Sequence, residues 1–173
     1  MESTGWTLFG WKAMQFNLID KIVDCHPGKQ LTAIKNLTLG EEYLGDHFPG
    51  FPVMPGVLML QTLVEAGAWL LRDTDHYRYS IIAMREAKNV KYGSFMEPGK
   101  TMTVHVEIVE AGENAAVFKG KGESGGVSTV SGRFTLAKYN LADRNPLFAE
   151  LDKEIVNSLK RRHLLLWPVA AKG

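Results

Sequence analysis

The chain of 173 residues reads as an α+β protein: an antiparallel sheet curled around one buried helix, followed by a helical tail. Three observations predict this. Residues Gly56 to Leu71, GVLMLQTLVEAGAWLL, are apolar on nearly every side of a helix, so this helix needs protein around most of it. Thr101 to Glu110, TMTVHVEIVE, alternates with the two-residue period of a strand and puts Met102, Val104, Val106 and Ile108 on one face. After Asn140 the composition shifts, and Leu147, Leu151, Ile155 and Leu159 recur four residues apart. The expected division is a sheet-and-helix domain over 1–140 and a helical tail over 141–173.

Taken in order, the elements are these. Trp6, Phe9 and Trp11 predict that even the first dozen residues pack against the rest. Phe16 to Val23, FNLIDKIV, suits a short helix or a strand. His26-Pro27-Gly28-Lys29 is a turn. Gln30 to Leu39 is a strand with imperfect alternation, and Gly40 to Pro55 is a loop rich in glycine and proline. Pro55 stands just before the helix, where a missing N–H costs nothing. Asp73 to Tyr79 is turn-like. Ser80 to Met84 is a short apolar run, and Lys88 to Tyr92 reads as a further strand. Glu97-Pro98-Gly99-Lys100 turns the chain into the strand at Thr101. Ala111 to Asn114 is a hairpin turn. Ala115 to Gly122 and Val127 to Lys138, joined at Glu123-Ser124-Gly125-Gly126, complete an antiparallel meander. Asn145-Pro146 opens a tail helix that runs to about Arg162.

Composition removes several functions. Lys and Arg total 20 against 19 Asp and Glu, a near-balance unlike the basic face of a nucleic-acid binder. Cys25 is the only cysteine, which excludes an intrachain disulfide and a cysteine-based zinc cluster and fits a reducing compartment. Pro52 to Leu71 is interrupted by Gln61 and Glu65 and contains Pro55 and Gly67, so a buried helix is expected and not a membrane span. The first residues lack the basic and long apolar regions of a secretory leader, and the expected location is the cytoplasm.

The most unusual segment is Asp46 to Gly56, DHFPGFPVMPG. Three prolines and two glycines within Pro49–Gly56 impose a loop of defined shape. A histidine held there, His47, has one orientation and can serve as a base. A structural histidine satisfied by backbone groups is the alternative. The helix that follows offers unpaired backbone N–H groups, including that of Gly56, able to polarise a carbonyl oxygen, and Gly56 has no side chain to keep a substrate away. Gln61 and Glu65 are the strongly polar residues of this helix and share one face. That face meets a polar cavity, a subunit interface or, on the plainer reading, water. His26, His76, His105 and His163 stand apart and read as structural or surface residues. No histidine or carboxylate cluster has metal-ligand spacing. Cys25 beside His26 does not make a nucleophile. Lys160-Arg161-Arg162 reads as a solvated face or a contact for an acidic partner.

His47 to Leu60, HFPGFPVMPGVLML, closely resembles the signature HFPGxPxxPGVLxxE of the FabZ-type 3-hydroxyacyl-acyl carrier protein dehydratases. IDKIVDCHPGKQLTAIKNLT and NVKYGSFMEPGKTMTVHVEIVE resemble other stretches of that family, and the likeness runs from about Phe16 to Lys138. It implies a hot-dog fold, with a long antiparallel sheet around a central helix. It further implies a homodimer, in some members a trimer of dimers, with active sites at the dimer interface. The substrate would be an acyl thioester on acyl carrier protein in fatty acid biosynthesis, with no cofactor. His47 would remove the proton beside the thioester carbonyl, and the Gly56 N–H would hold the carbonyl oxygen. Phe48, Val53, Met54 and Val57 would line the acyl tunnel, and Lys88, Lys91 and Arg85 would form a basic rim for the acidic carrier.

Two departures qualify the likeness. The family's HRYPF element is replaced by KAMQF, and the family's catalytic glutamate, which acts across the dimer, is Gln61. An amide cannot donate a proton as a carboxylic acid does. Glu65, one turn later, could supply the acid, through water if needed. Alternatively the protein performs another thioester step, such as hydration, isomerisation or hydrolysis, or binds an acyl chain or carrier and catalyses nothing. A 3-hydroxyacyl thioester dehydratase is the leading expectation. A non-catalytic acyl-carrier binder and a hot-dog thioesterase are the alternatives.

Overall fold

The computed structural model describes residues 17–168. Trp6, Phe9, Trp11 and the KAMQF segment lie outside them. Six strands form one antiparallel sheet: β1 (Lys21–His26), β2 (Gln30–Asn36), β3 (Ile81–Tyr92), β4 (Thr101–Ala111), β5 (Ala115–Ser124) and β6 (Val127–Tyr139), in the order β1-β2-β4-β5-β6-β3. Helix α1 (Gly56–Thr74) packs on one face of this sheet, and α2 (Ala149–Leu166) follows β6. This is the expected α+β hot-dog arrangement. No helix among the described residues is long and apolar enough to cross a membrane.

Each strand of the meander sends alternate side chains to α1. Met102, Val104 and Val106 of β4 are buried as the alternation predicts, and Phe118 of β5 stacks on its cross-strand neighbour Phe134 of β6 with ring centroids 5.2 Å apart. Met59, Leu63, Ala66 and Leu70 of α1 join the same core. The wrapping of α1 is less complete than its composition predicts. Thr62 to Leu71 are buried apart from Glu65, but Val57 is 68% exposed and Gln61 is also exposed. The sheet covers one side of the helix, whereas the opposite side is covered only near its later turns, by the buried Leu18 and by α2.

Three boundaries differ from the sequence expectation. Of the segment Phe16 to Val23, residues 17–20 are irregular chain and 21–23 open β1, the strand alternative, while Phe16 lies outside the described residues. The two short strands expected between Ser80 and Tyr92 are one strand of 12 residues, β3. Register shifts at Met84/Glu86 and Lys88/Lys91 break its alternation, which hides its continuity in the sequence. In the tail, α2 starts at Ala149 after a short 3-10 turn at Pro146–Phe148 and buries the expected stripe only in its later half, where Ile155 and Leu159 are half-buried. Leu147 is 86% exposed and Leu151 also faces out, while Asp152, His163 and Leu166 are buried. The stripe is shifted because two polar residues anchor it. Asp152 accepts hydrogen bonds from the Ser80 hydroxyl and from the N–H groups of Leu141 (2.9 Å) and Ala142 (2.8 Å).

The segment after β3 passes tightly over β6: Gly93 N–H donates to Thr129 O at 2.8 Å and Ser94 N–H to Ser128 O at 3.0 Å. A Cβ on Gly93 would lie 2.2 Å from the Ser128 carbonyl oxygen, which is backbone within a ladder and cannot give way. Gly93→Ala is therefore expected to destabilise the fold by about 1–3 kcal/mol. Chemical denaturation checks this, and an unchanged midpoint would contradict the close approach.

Candidate active site

The loop before α1 is held from both sides. The buried Lys35 pairs with Glu41, and Leu44 is buried behind the short 3-10 turn Glu42–Gly45. His47 N–H donates to Tyr43 O (3.1 Å), Val53 N–H to His47 O (3.0 Å), and Met54 N–H to Met96 O (2.8 Å). Phe48 and Phe51 exchange backbone bonds around Pro49-Gly50. The prolines remove competing donors, and the chain has one way to run.

Within this loop the His47 ring is partly buried, stacked on Phe48 at 4.2 Å, with Nδ1 2.9 Å from the Val53 carbonyl oxygen. A carbonyl only accepts, so in the neutral ring Nδ1 carries the proton and Nε2 presents its lone pair. The histidine is thus oriented and tautomerically selected by its own loop. The backbone-satisfied alternative and the base reading meet in one geometry: the backbone satisfies one nitrogen and leaves the other for chemistry.

Helix α1 begins without a side-chain cap, because its N-cap is Pro55. The N–H groups of Leu58 and Met59 both close on the Pro55 carbonyl, at 2.9 and 3.1 Å. Those of Gly56 and Val57 come before the first helical bond, at the positive end of the helix dipole. The Tyr92 ring lies so close that a Cβ on Gly56 would be 3.0 Å from it. A side chain at this position would need the half-exposed Tyr92 ring to give by a few tenths of an ångström, so an aromatic neighbour favours glycine here in addition to any need for substrate access.

The four residues expected to line a tunnel divide into two pairs. Val53 and Met54 are buried, while Phe48 and Val57 are exposed. Exposed Phe51, Tyr92 and Phe95 join the latter pair as an apolar collar around the helix start, with Phe51 and Phe95 edge to face at 5.7 Å. Sequence reasoning passed over Tyr92 and Phe95. Their signal was two aromatics, in KYGSF, inside an otherwise polar run.

Gln61 and Glu65 line one small cavity of about 170 Å³ together with Arg72, Arg162, Trp69 and Leu159; His47 is not among its lining residues. Glu65 is largely buried and fully engaged: Oε2 accepts from Leu18 N–H at 2.7 Å, and Oε1 accepts from Arg162 at 2.7 Å and from Trp69 Nε1 at 3.4 Å. Burial pushes its carboxyl above the usual carboxylate range, and the Leu18 N–H, Arg162, Trp69 and Arg72 pull it back. Burial also lowers the Arg72 guanidinium to about 10. Arg162 belongs to the basic cluster that reads from sequence as a solvated face, yet it points inward at Glu65.

The expected basic rim is elsewhere. Tyr92 faces Gly56, so alternation turns Lys91 to the opposite side of the sheet. There it lines a groove of about 540 Å³ with Lys119, Lys121 and Arg133, and Lys88 pairs with Glu86 at 2.9 Å. Among the described residues no group of three or more His, Cys, Asp or Glu is placed to hold a metal. The Cys25 thiol is pushed up to about 12 by burial first and then by Asp73 and Asp24, so it is a poor nucleophile.

The family model described as a FabA-like domain matches residues 12–132. The 3-hydroxyacyl-[acyl-carrier-protein] dehydratase FabZ of Wolbachia pipientis is 36% identical over 93 residues, covering 54% of this chain and 65% of that protein, so the chain spans just under two thirds of that relative's length. The protein of the same name from Clostridium acetobutylicum is 31% identical over 118 residues (68% of this chain, 84% of that one), and that from Clostridium kluyveri 32% over 130 residues (75% and 88%). Among solved structures, the dehydratase heterocomplex ApeI:P from Xenorhabdus doucetiae superposes with a TM-score of 0.60 at 13% identity, covering 77% of this chain and 90% of that one. Thioesterase superfamily member 2 from Mus musculus does so with 0.53 at 16% identity, covering 68% and 80%. At these identities the structural likeness speaks to the fold alone.

The far end of the Glu65 cluster titrates. His163 is buried, stacked on Trp69 at 5.5 Å and hydrogen-bonded through Nδ1 to the Tyr77 hydroxyl, while its Nε2 has no partner among the described residues. Burial depresses it below the ordinary histidine range, Arg72 adds to this, and Asp73 opposes it. As pH falls past the ordinary value of about 6.5, the unfolded chain takes up this proton before the folded one, so stability is lost on acidification. Thermal melts between pH 7.5 and 5.5 should show a steeper loss for the wild type than for His163→Gln. Equal slopes would remove His163 from the balance.

Proposed function

The chain belongs to the FabA-like family, and we propose that it is a 3-hydroxyacyl thioester dehydratase of fatty acid biosynthesis, with its substrate carried on acyl carrier protein. The observation that carries this reading is the bond from His47 Nδ1 to the Val53 carbonyl, which leaves Nε2 free as a base beside the uncapped start of α1.

In the proposed reaction His47 Nε2 removes the proton from C2, next to the thioester carbonyl. The carbonyl oxygen, gaining negative charge, is held by the Gly56 N–H with the α1 dipole behind it. The C2–H electron pair forms the C2–C3 double bond as the C3–O bond breaks, and the hydroxyl leaves as water once it has received a proton. Gln61 binds the departing hydroxyl, and Glu65, which lines the same cavity, is the proton source through an intervening water. Phe48 and Val57 form the apolar surface that receives the acyl chain, backed by Val53 and Met54.

The working unit in this proposal is a homodimer. Among the described residues His47 does not line the Gln61–Glu65 cavity, and the exposed collar of Phe48, Phe51, Val57, Tyr92 and Phe95 is apolar surface that a second copy would cover. β3 is a 12-residue sheet edge with free backbone groups, suited to pairing across a two-fold axis. Assembly into a trimer of dimers is a further step. The undisulfided Cys25 fits a cytoplasmic setting.

Gln61 specifically favours one second reading, that of an acyl-carrier binder without turnover. Incubation with a 3-hydroxyacyl thioester on acyl carrier protein, and with the enoyl product for the reverse reaction, separates the two by mass spectrometry. Conversion is expected, with His47→Ala slower by at least about 100-fold and Gln61→Glu faster, because general acid–base groups contribute about 10²–10⁴-fold. Turnover that is unchanged in His47→Ala ends the catalytic assignment. Bound acyl chain with no conversion supports the binder, and release of free thiol supports a thioesterase.

A further inference from the structure

We propose that Arg162 of the C-terminal helix is a positioning residue of the reaction: it holds the Glu65 carboxylate in the cavity that Glu65 shares with Gln61, so the tail is part of the working site. This inference rests on the dehydratase reading above.

The geometry is specific. Arg162 reaches from α2 across to α1 and donates to Glu65 Oε1 at 2.7 Å, with side chains only 26% and 11% exposed. Its guanidinium also lies over the Trp69 ring, 5.6 Å from the centroid, and Trp69 donates to the same carboxylate oxygen. The other oxygen is taken by Leu18 N–H. Glu65 is therefore aimed by three elements at once: the segment before β1, α1 itself and α2. Arg72 is the remaining charged group that faces it, and Ile82 of β3 closes the cavity with an apolar wall.

As an anchor for α2 alone, the Arg162–Glu65 pair would be redundant. α2 already has an anchor at its start, where Asp152 binds Ser80, Leu141 and Ala142, and another near its end, where His163 sits against Trp69 and Tyr77. Neither anchor needs Arg162. The pair also lies on the Gln61 face of α1, where a proton is needed and the amide of Gln61 cannot supply it. The FabA-like match covers residues 12–132, and α2, the helix that brings Arg162, lies after it. A chain that carries glutamine at the acid position and has a helix that orients the next carboxylate along has moved the acid by one turn.

The sign of the effect follows from charge. A neighbouring cation favours the carboxylate over the carboxylic acid, so removing Arg162 makes Glu65 hold its proton to higher pH. If Glu65 is the acid, the alkaline limb of the kcat/KM profile reports its loss of that proton.

The test uses the full chain, with Arg162→Met, Arg162→Lys and Glu65→Gln assayed on a 3-hydroxyacyl thioester of acyl carrier protein. Titration of the Glu65 carboxyl by carbon-13 NMR, assigned with Glu65→Gln, runs beside the assay. Arg162→Met is expected to lower the plateau kcat, read at pH values where Glu65 is protonated in both proteins, about 10- to 100-fold with little change in KM, and to move both the alkaline limb and the Glu65 titration up. Arg162→Lys, which keeps the charge and most of the packing, should restore the limb and part of kcat. It also keeps the question open to measurement if Arg162→Met folds poorly. Turnover in the wild type with an identical kcat and pH profile in Arg162→Met overturns this inference and leaves the dehydratase reading intact. A wild type without turnover overturns the dehydratase reading first, and the Glu65 titration then reports whether Arg162 still sets its protonation.

Discussion

The interaction on which the rest depends is the burial of α1 against the sheet. Phe118 and Phe134 stack beneath it, and Met59, Leu63, Ala66 and Leu70 complete a core in which every strand of the meander takes part. Burying a helix on this scale strips water from whatever polar groups it carries, and an unpaired carboxylate there would cost several kcal/mol or change its protonation. Glu65 is the group exposed to that cost. The Leu18 N–H, Trp69 and Arg162 gather around it for that reason, and each comes from a different part of the chain.

The two ends of α1 solve opposite problems. At the start, Pro55 removes the usual side-chain cap and leaves backbone N–H groups facing outward, next to a loop whose hydrogen bonds hold His47 with Nε2 free. At the later turns, α2 lies over the outer face and brings a second set of charges to it. Between them, Val57 and Gln61 remain uncovered. The uncovered stripe lies between the His47 loop and the Gln61–Glu65 cavity, and in the proposed chemistry a second copy covers it.

Local patterns were a good guide wherever one residue type dominates the local energetics. The alternation of β4 and the continuous apolar run of α1 each carry their own periodicity, so both stand within a few residues of where the sequence predicts them. Periodicity misled where a register shift or a polar anchor intervened. The shifts in β3 made one strand look like two, and Asp152 with His163 turned the buried face of the tail away from Leu147 and Leu151. A hydropathy pattern counts a buried aspartate as outward-facing, because the donors that satisfy it lie elsewhere in the sequence.

The sequence by itself determined the family, the helix, the glycine–proline loop and the place of His47 within that loop, because these depend on residues adjacent in the chain whose backbone limits are local. It also displayed the replacement of a glutamate by Gln61, a matter of counting along one motif. Only the tertiary structure decided which nitrogen of His47 is free, what Glu65 touches and where the basic residues of β3 point. Each of these depends on a partner distant in the chain or on a precise backbone geometry: 97 residues separate Arg162 from Glu65, and 47 separate Glu65 from Leu18. Contacts of that range are set by how the layers pack, and a single sequence carries no local signal for them.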